Sequence, residues 1–412
     1  MNRLIDSLEP GQRVWVPTLA NESALLASEL LAEPERARGV TFMGVQFPGI
    51  DKFDYLALHP QARQVAWFMT PAVRRGLAEG RAALLALDYP GIVRYLSEQP
   101  PVDVAIAQLT PPDADGWCAP GLACDFVPLV WGRARRRVAH LNPRLPRIAS
   151  GFRVHVSELD HAVQADAPLN DFDEPAAGAI EQRIGAHVAA LVRDGDTLQF
   201  GIGAVPLALA SALSSHRQLR FRAGMASAAL RTLWEAGALD RDATALAGVV
   251  LGDAGFRSFA AEMPTLRLAD VTHTHDVQAI ANTARFMAIN SAVEVDLFGQ
   301  VNAERAGGAV QAGAGGLPTF AAGALGSRGG RVLICLPATA KRGSVSRIVP
   351  ALDHEALCTL PRWMADTVVT EHGVAELRGL ALDARAQALI AIAAPEHRAG
   401  LAGAWDDIRR RA

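Results

Sequence analysis

The chain has 412 residues, half of them apolar and 20% charged, with a formal net charge of −3. That length buries more than one core and predicts two domains, residues 1–175 and 176–412, while the lack of excess cation excludes a general nucleic-acid binder. No stretch approaches the roughly 18 consecutive apolar residues of a membrane span, and charges run through Met1 to Val16 where a signal peptide would be apolar, so a cytoplasmic protein is expected.

Short apolar runs alternate with helical patterns along most of the chain, the signature of parallel sheets covered by helices. Arg13 to Val16 follows the Pro10-Gly11 turn and reads as the first strand, Glu22 to Leu31 as an amphipathic helix, and Gly39 to Val45 as the next strand. Val102 to Leu109 predicts a strand buried on both faces, ahead of a proline-rich loop, Thr110 to Gly121, at the strand end where open α/β sheets place ligands. The run Arg133, Arg135, Arg136 and Arg137 reads as a solvated helix end. Between Val163 and Gly178 the pattern weakens into an acidic, proline- and alanine-rich linker. A helix over Ala179 to Val192, a turn at Asp194-Gly195-Asp196 and a strand over Thr197 to Phe200 then repeat, faintly, the opening of the first half.

The second half opens on a glycine turn. Gly201-Ile202-Gly203 joins a strand to a helix whose first turn carries Pro206, a position where a missing N–H does no harm. Such a turn brings bare backbone N–H groups and a helix N-terminus to one place and suits an anionic ligand. It lacks the third glycine of a dinucleotide fingerprint and the Gly-Lys-Ser/Thr of a P-loop. Further on, His273, His275 and Asp276 alternate as if on one face of a strand, but no third ligand follows, so no metal site is expected. Ser291 to Leu297 alternates like a half-buried strand with Glu294 and Asp296 on one face. There, a carboxylate bonded to backbone N–H groups and holding the Gly299 loop is the simplest reading. Gly307 to Gly330 contains nine glycines and six alanines, too many glycines for a stable long helix. Phe320 and the strand Arg331 to Leu336 predict an ordered turn whose backbone approaches a ligand. Four cysteines, Cys118, Cys124, Cys335 and Cys358, form no CxxC pair and suit a reducing compartment.

Six segments in order carry a resemblance to a known family. They are VDVAIAQLTPPDADGW (Val102 to Trp117), GIGAVP (Gly201 to Pro206), INSAVEVDLFGQVNAE (Ile289 to Glu304), GAGGLPTFAAGALGSRGG (Gly313 to Gly330), ATAKRGSVSRIVP (Ala338 to Pro350) and VVTEHGVAELRG (Val368 to Gly379). Together they resemble the acetyl-CoA hydrolase/CoA-transferase family of class I CoA-transferases, similar to 4-hydroxybutyrate or butyrate:acetate CoA-transferases. The resemblance implies two open, mostly parallel α/β domains, a cleft between them and a homodimer. It implies coenzyme A or acyl-CoA as substrate and a carboxylate as co-substrate, with no permanently bound cofactor. Pantetheine would lie along Gly201, Ile202, Gly203, Ala204 and Val205. Gly313, Gly315 and Gly316 would lie by the thioester carbonyl, with a backbone N–H as oxyanion donor. Lys341, one of two lysines in the chain, would contact a CoA phosphate or a carboxylate.

Transferases of this family use a glutamate that attacks the acyl-CoA and then carries CoA as a glutamyl thioester. It stands in a pattern like Leu-x-x-His-Thr-Glu-Met, and the ungapped counterpart here, Leu219 to Ser227, puts Gly224 at its place. Thr319 departs as well, where the family commonly has Asp. Three readings follow. In the first, a carboxylate or water attacks the thioester directly, as related carrier-protein transferases are thought to do. In the second, Glu294 or Glu371, the latter at the end of the strand Thr367 to Thr370, replaces the nucleophile. In the third, the chain is a catalytically silent CoA-binding protein.

Overall fold

A computed structural model of the chain describes residues 3–411. Seven strands form the first sheet: β1 (Arg13–Trp15), β2 (Thr41–Met43), β3 (Arg63–Ala66), β4 (Ala82–Leu84), β5 (Val104–Leu109), β6 (Arg136–Leu141) and β7 (His161–Gln164). Their order is β4-β3-β2-β1-β5-β6-β7, and every pairing is parallel. The order reverses between β1 and β5, which opens a crevice at the carboxyl ends of those strands. β5 is buried along its whole length, as its mostly apolar run predicts. Helices α1 (Ala24–Ala32), α2 (Pro71–Ala78) and α3 (Tyr89–Glu98) connect the early strands. Ser23, Thr70 and Asp88 cap them, each side chain accepting from a first-turn N–H.

The second sheet contains β8 (Thr197–Phe200), β9 (Arg220–Phe221), β10 (Phe286–Ser291), β11 (Arg331–Cys335), β12 (Thr367–Thr370) and β13 (Gly373–Glu376) in the order β9-β8-β10-β11-β12-β13. All pairings are parallel except the edge hairpin β12-β13. The architecture is therefore two open, mostly parallel α/β sheets. Helices α4 (Ala179–Ala189), α5 (Ala204–Ala212), α6 (Ala228–Glu235) and α7 (Leu317–Gly326) pack in this half. No helix among the described residues is long and apolar enough to cross a membrane.

Three local expectations are corrected. The second glycine cluster does contain a regular helix, α7, with Pro318 in its first turn. Its glycines mark close packing: a Cβ at Gly323 would lie 2.4 Å from Ile280, so the helix tolerates glycine because tertiary contact replaces propensity. The His273–Asp276 segment is not a strand. Val271–Thr274 is a helical turn capped by Asp270, and it leaves His273 exposed and His275 buried. In the arginine run, Arg136 and Arg137 already belong to β6, while Arg133 donates to the carbonyls of Leu96 and Gln99.

Candidate active site

The carboxyl ends of β8 and β10, the backbone at Gly224, His275 and the start of α7 enclose a cavity of about 290 Å3. The first sheet closes it with Phe47 and Pro48 beyond β2, Phe68 beyond β3 and Tyr89 at the start of α3. Phe47 and Phe68 pack with ring centroids 3.9 Å apart. The Phe47 loop is fixed from behind. Asp51 accepts from the N–H groups of Phe47 (2.6 Å) and Leu19 (2.7 Å), and Glu22 accepts from those of Lys52 and Phe53. Burial pushes the Asp51 carboxyl up to about 8 in spite of these bonds. On the opposite wall Gln199 and Asn290 exchange amide hydrogen bonds at 2.9 and 3.2 Å. Among the described residues lining the cavity, none is Asp, Glu, Lys or Arg.

The glycine turn sits at the rim. Gly203 adopts φ +110°, a conformation that disfavours any side chain, and forms the N-cap of α5. Its N–H is taken by a carboxyl group of the chain itself. Glu174 in the linker accepts from Gly203 N at 2.8 Å and from Ser227 Oγ at 3.0 Å. Desolvation raises the pKa of this carboxyl, and the two bonds oppose the shift. Gly224 lines the cavity itself, and its carbonyl accepts from the N–H groups of Gly248 and Val249.

His275 was not expected here. Its ring lies between Tyr89 (centroids 4.2 Å apart) and Phe320 (4.6 Å), with Nδ1 2.8 Å from Thr274 Oγ1. Burial, and then the nearby Arg222 charge, lower its pKa to about 3, so the imidazole is neutral at physiological pH.

Residues 1–169 match the acetyl-CoA hydrolase/transferase N-terminal domain and residues 252–404 its C-terminal domain. The chain belongs to the acetyl-CoA hydrolase/transferase family. Over 406 residues it is 32% identical to a 4-hydroxybutyrate coenzyme A transferase from Clostridium kluyveri, covering 97% of this chain and 95% of that one. RipA from Yersinia pestis superposes with a TM-score of 0.91 at 26% identity, over 98% of this chain and 96% of that one. A 4-hydroxybutyrate CoA-transferase from Porphyromonas gingivalis gives 0.82 at 28% identity, over 99% and 96%. The family is one of enzymes that act on CoA thioesters.

Of the residues singled out on family grounds, Gly201, Ile202, Gly224, Gly313, Gly315 and Gly316 line the one cavity. Ala204 and Val205 lie in the first turn of α5, outside the lining. Glu294 and Lys341 line a separate pocket of about 250 Å3 together with Arg305 and Arg347, and Glu294 accepts from Asn302 Nδ2 at 2.8 Å. The role of holding the Gly299 loop falls to Asp296, which accepts from the N–H groups of Phe298 and Gln300. Glu371 is buried at the end of β12 and accepts from Ala338 N at 2.8 Å. Neither Glu294 nor Glu371 reaches the lining of the cavity that holds Gly224.

Proposed function

We propose that the chain is a CoA-transferase between an acyl-CoA and a carboxylate, or an acyl-CoA hydrolase, in which the acceptor attacks the thioester directly, without a glutamyl intermediate. The observation that carries this reading is the wall of the cavity. Gly224, which the sequence motif aligns with the family nucleophile, lines it, and none of the described lining residues is a carboxylate. On this reading the thioester enters between Gly224 and the Gly315-Gly316 backbone. The N–H groups there face the carbonyl oxygen as it gains charge, and bare backbone is a rigid, preorganised donor. Phe47, Phe68, Ile202, Leu317 and Phe320 supply an apolar wall for a short acyl chain. Glu294 bonds Asn302 in the separate pocket it shares with Lys341, and Glu371 accepts from Ala338 N.

Butyryl-CoA is a suitable probe, since relatives are named for butyrate and 4-hydroxybutyrate. Incubation of the full chain with butyryl-CoA, followed by borohydride or hydroxylamine, should leave the intact mass unchanged while CoA thiol is released. A stable adduct on a glutamate would overturn the proposal. CoA binding without turnover of any acyl-CoA would make the chain a silent binder instead.

A further inference from the structure

One imidazole edge takes the space in which a side chain at position 224 would begin. A Cβ at Gly224 would lie 3.0 Å from His275 Cε1 and 3.2 Å from Nε2, and one at Gly316 would lie 2.5 Å from Nε2. Nε2 therefore sits against two bare backbones: the vacant nucleophile position and the glycine of the proposed oxyanion site. Tyr89 and Phe320 pack against the ring, with centroids 4.2 and 4.6 Å away.

The hydrogen-bond network accommodates the ring proton on Nδ1. With Thr274 Oγ1 donating to the Asp270 carbonyl oxygen at 3.3 Å, its lone pair is free to accept from Nδ1–H at 2.8 Å. Nε2 is then a bare acceptor, and among the described residues no group bonds it. A carboxylate acceptor has no proton to surrender at neutral pH and would find no cation on the cavity wall, so its burial there would be costly. Water has a proton to surrender and carries no charge.

We propose that His275 is the general base of a thioester hydrolysis, in which Nε2 takes the proton of a water that attacks the bound acyl-CoA. This rests on the direct-attack reading and names its acceptor. The water oxygen bonds to the carbonyl carbon as one water proton passes to Nε2, and the carbonyl electrons move onto oxygen beside the Gly315-Gly316 backbone. Collapse of that intermediate breaks the C–S bond. The thiolate of CoA leaves with the electron pair and takes the proton back from Nε2. The products are the carboxylic acid, which ionises in solution, and CoA thiol. Burial weakens the resting imidazole as a base, but the oxyanion forming alongside stabilises the imidazolium as its ion pair. The other charged and titratable groups facing the ring are Arg222, which disfavours the proton, and Tyr89, held neutral by burial.

The test uses full-length protein, butyryl-CoA with and without acetate, and the variants His275→Gln and His275→Ala. The wild type should release CoA thiol at the same rate whether or not acetate is present. Both variants should lose roughly 10²- to 10⁴-fold in kcat, with CoA affinity measured by calorimetry held within about threefold, below the tenfold that 1.4 kcal/mol represents. Release that requires acetate would overturn the hydrolytic assignment and leave direct attack standing. Unchanged hydrolysis in both variants would overturn the role of His275 alone. A borohydride-trapped glutamyl adduct, or no release of CoA by the wild type under any condition, would overturn both.

Discussion

Gly224 and His275 form one structural pair, because a Cβ at position 224 would lie 3.0 Å from the ring edge, and Tyr89 and Phe320 pack against that ring. The substitution Gly224→Ala should therefore overpack the site and cost about 1–3 kcal/mol. In a His275→Ala background the same change should cost much less, so the double-mutant cycle is non-additive. Urea unfolding of the four proteins checks this, and additive effects would contradict the contact. Only half of the pair was legible in the sequence. Gly224 stands out because a spaced motif surrounds it, and the expectation that it stands at the nucleophile position rests on that motif. His275 hides in the alternation Thr-His-Thr-His-Asp, which imitates a strand. The signal that would have corrected it is Asp270, whose side chain accepts from Thr272 N at 2.8 Å and starts a helical turn.

At the scale of elements, the linker after β7 is more than a connection. It carries Glu174 to the start of both α5 and α6, where the carboxylate joins Gly203 N–H and Ser227 Oγ and complements the positive ends of two helices. Removing it with Glu174→Ala should lower stability by about 1–2 kcal/mol. Water reaching the half-buried turn offsets part of the loss, which keeps the figure below that of a fully buried bond. Thermal unfolding measures it, and a midpoint indistinguishable from wild type would show that the strap bears no load. Composition alone made this segment read as a spacer, since an isolated Glu in a proline-rich stretch has no local partner. Strands were easier. Thr197–Phe200 and Thr367–Thr370 fall where apolar runs between turns put them. Helix α7 was not legible, because glycine propensity argues against it and only the distant Ile280 contact explains it.

Across the whole molecule, the cavity draws on both sheets, and its lining comes from positions as distant in sequence as Phe47 and Phe320. Motif spacing identified the glycines because each motif is local. The aromatic wall from the first sheet and the absence of any charge in the lining are products of tertiary packing, and no local pattern encodes them. On the proposed reading, an acceptor meets the thioester in this cavity, whose described lining residues include no Asp, Glu, Lys or Arg, beside the His275 imidazole. The most direct measurement is turnover of butyryl-CoA in water enriched in oxygen-18, followed by mass analysis of the released butyrate and of every Asp- and Glu-containing peptide of the protein. Direct attack by water predicts label in the butyrate and none in the protein. A labelled enzyme carboxylate would reveal a covalent intermediate and contradict the account.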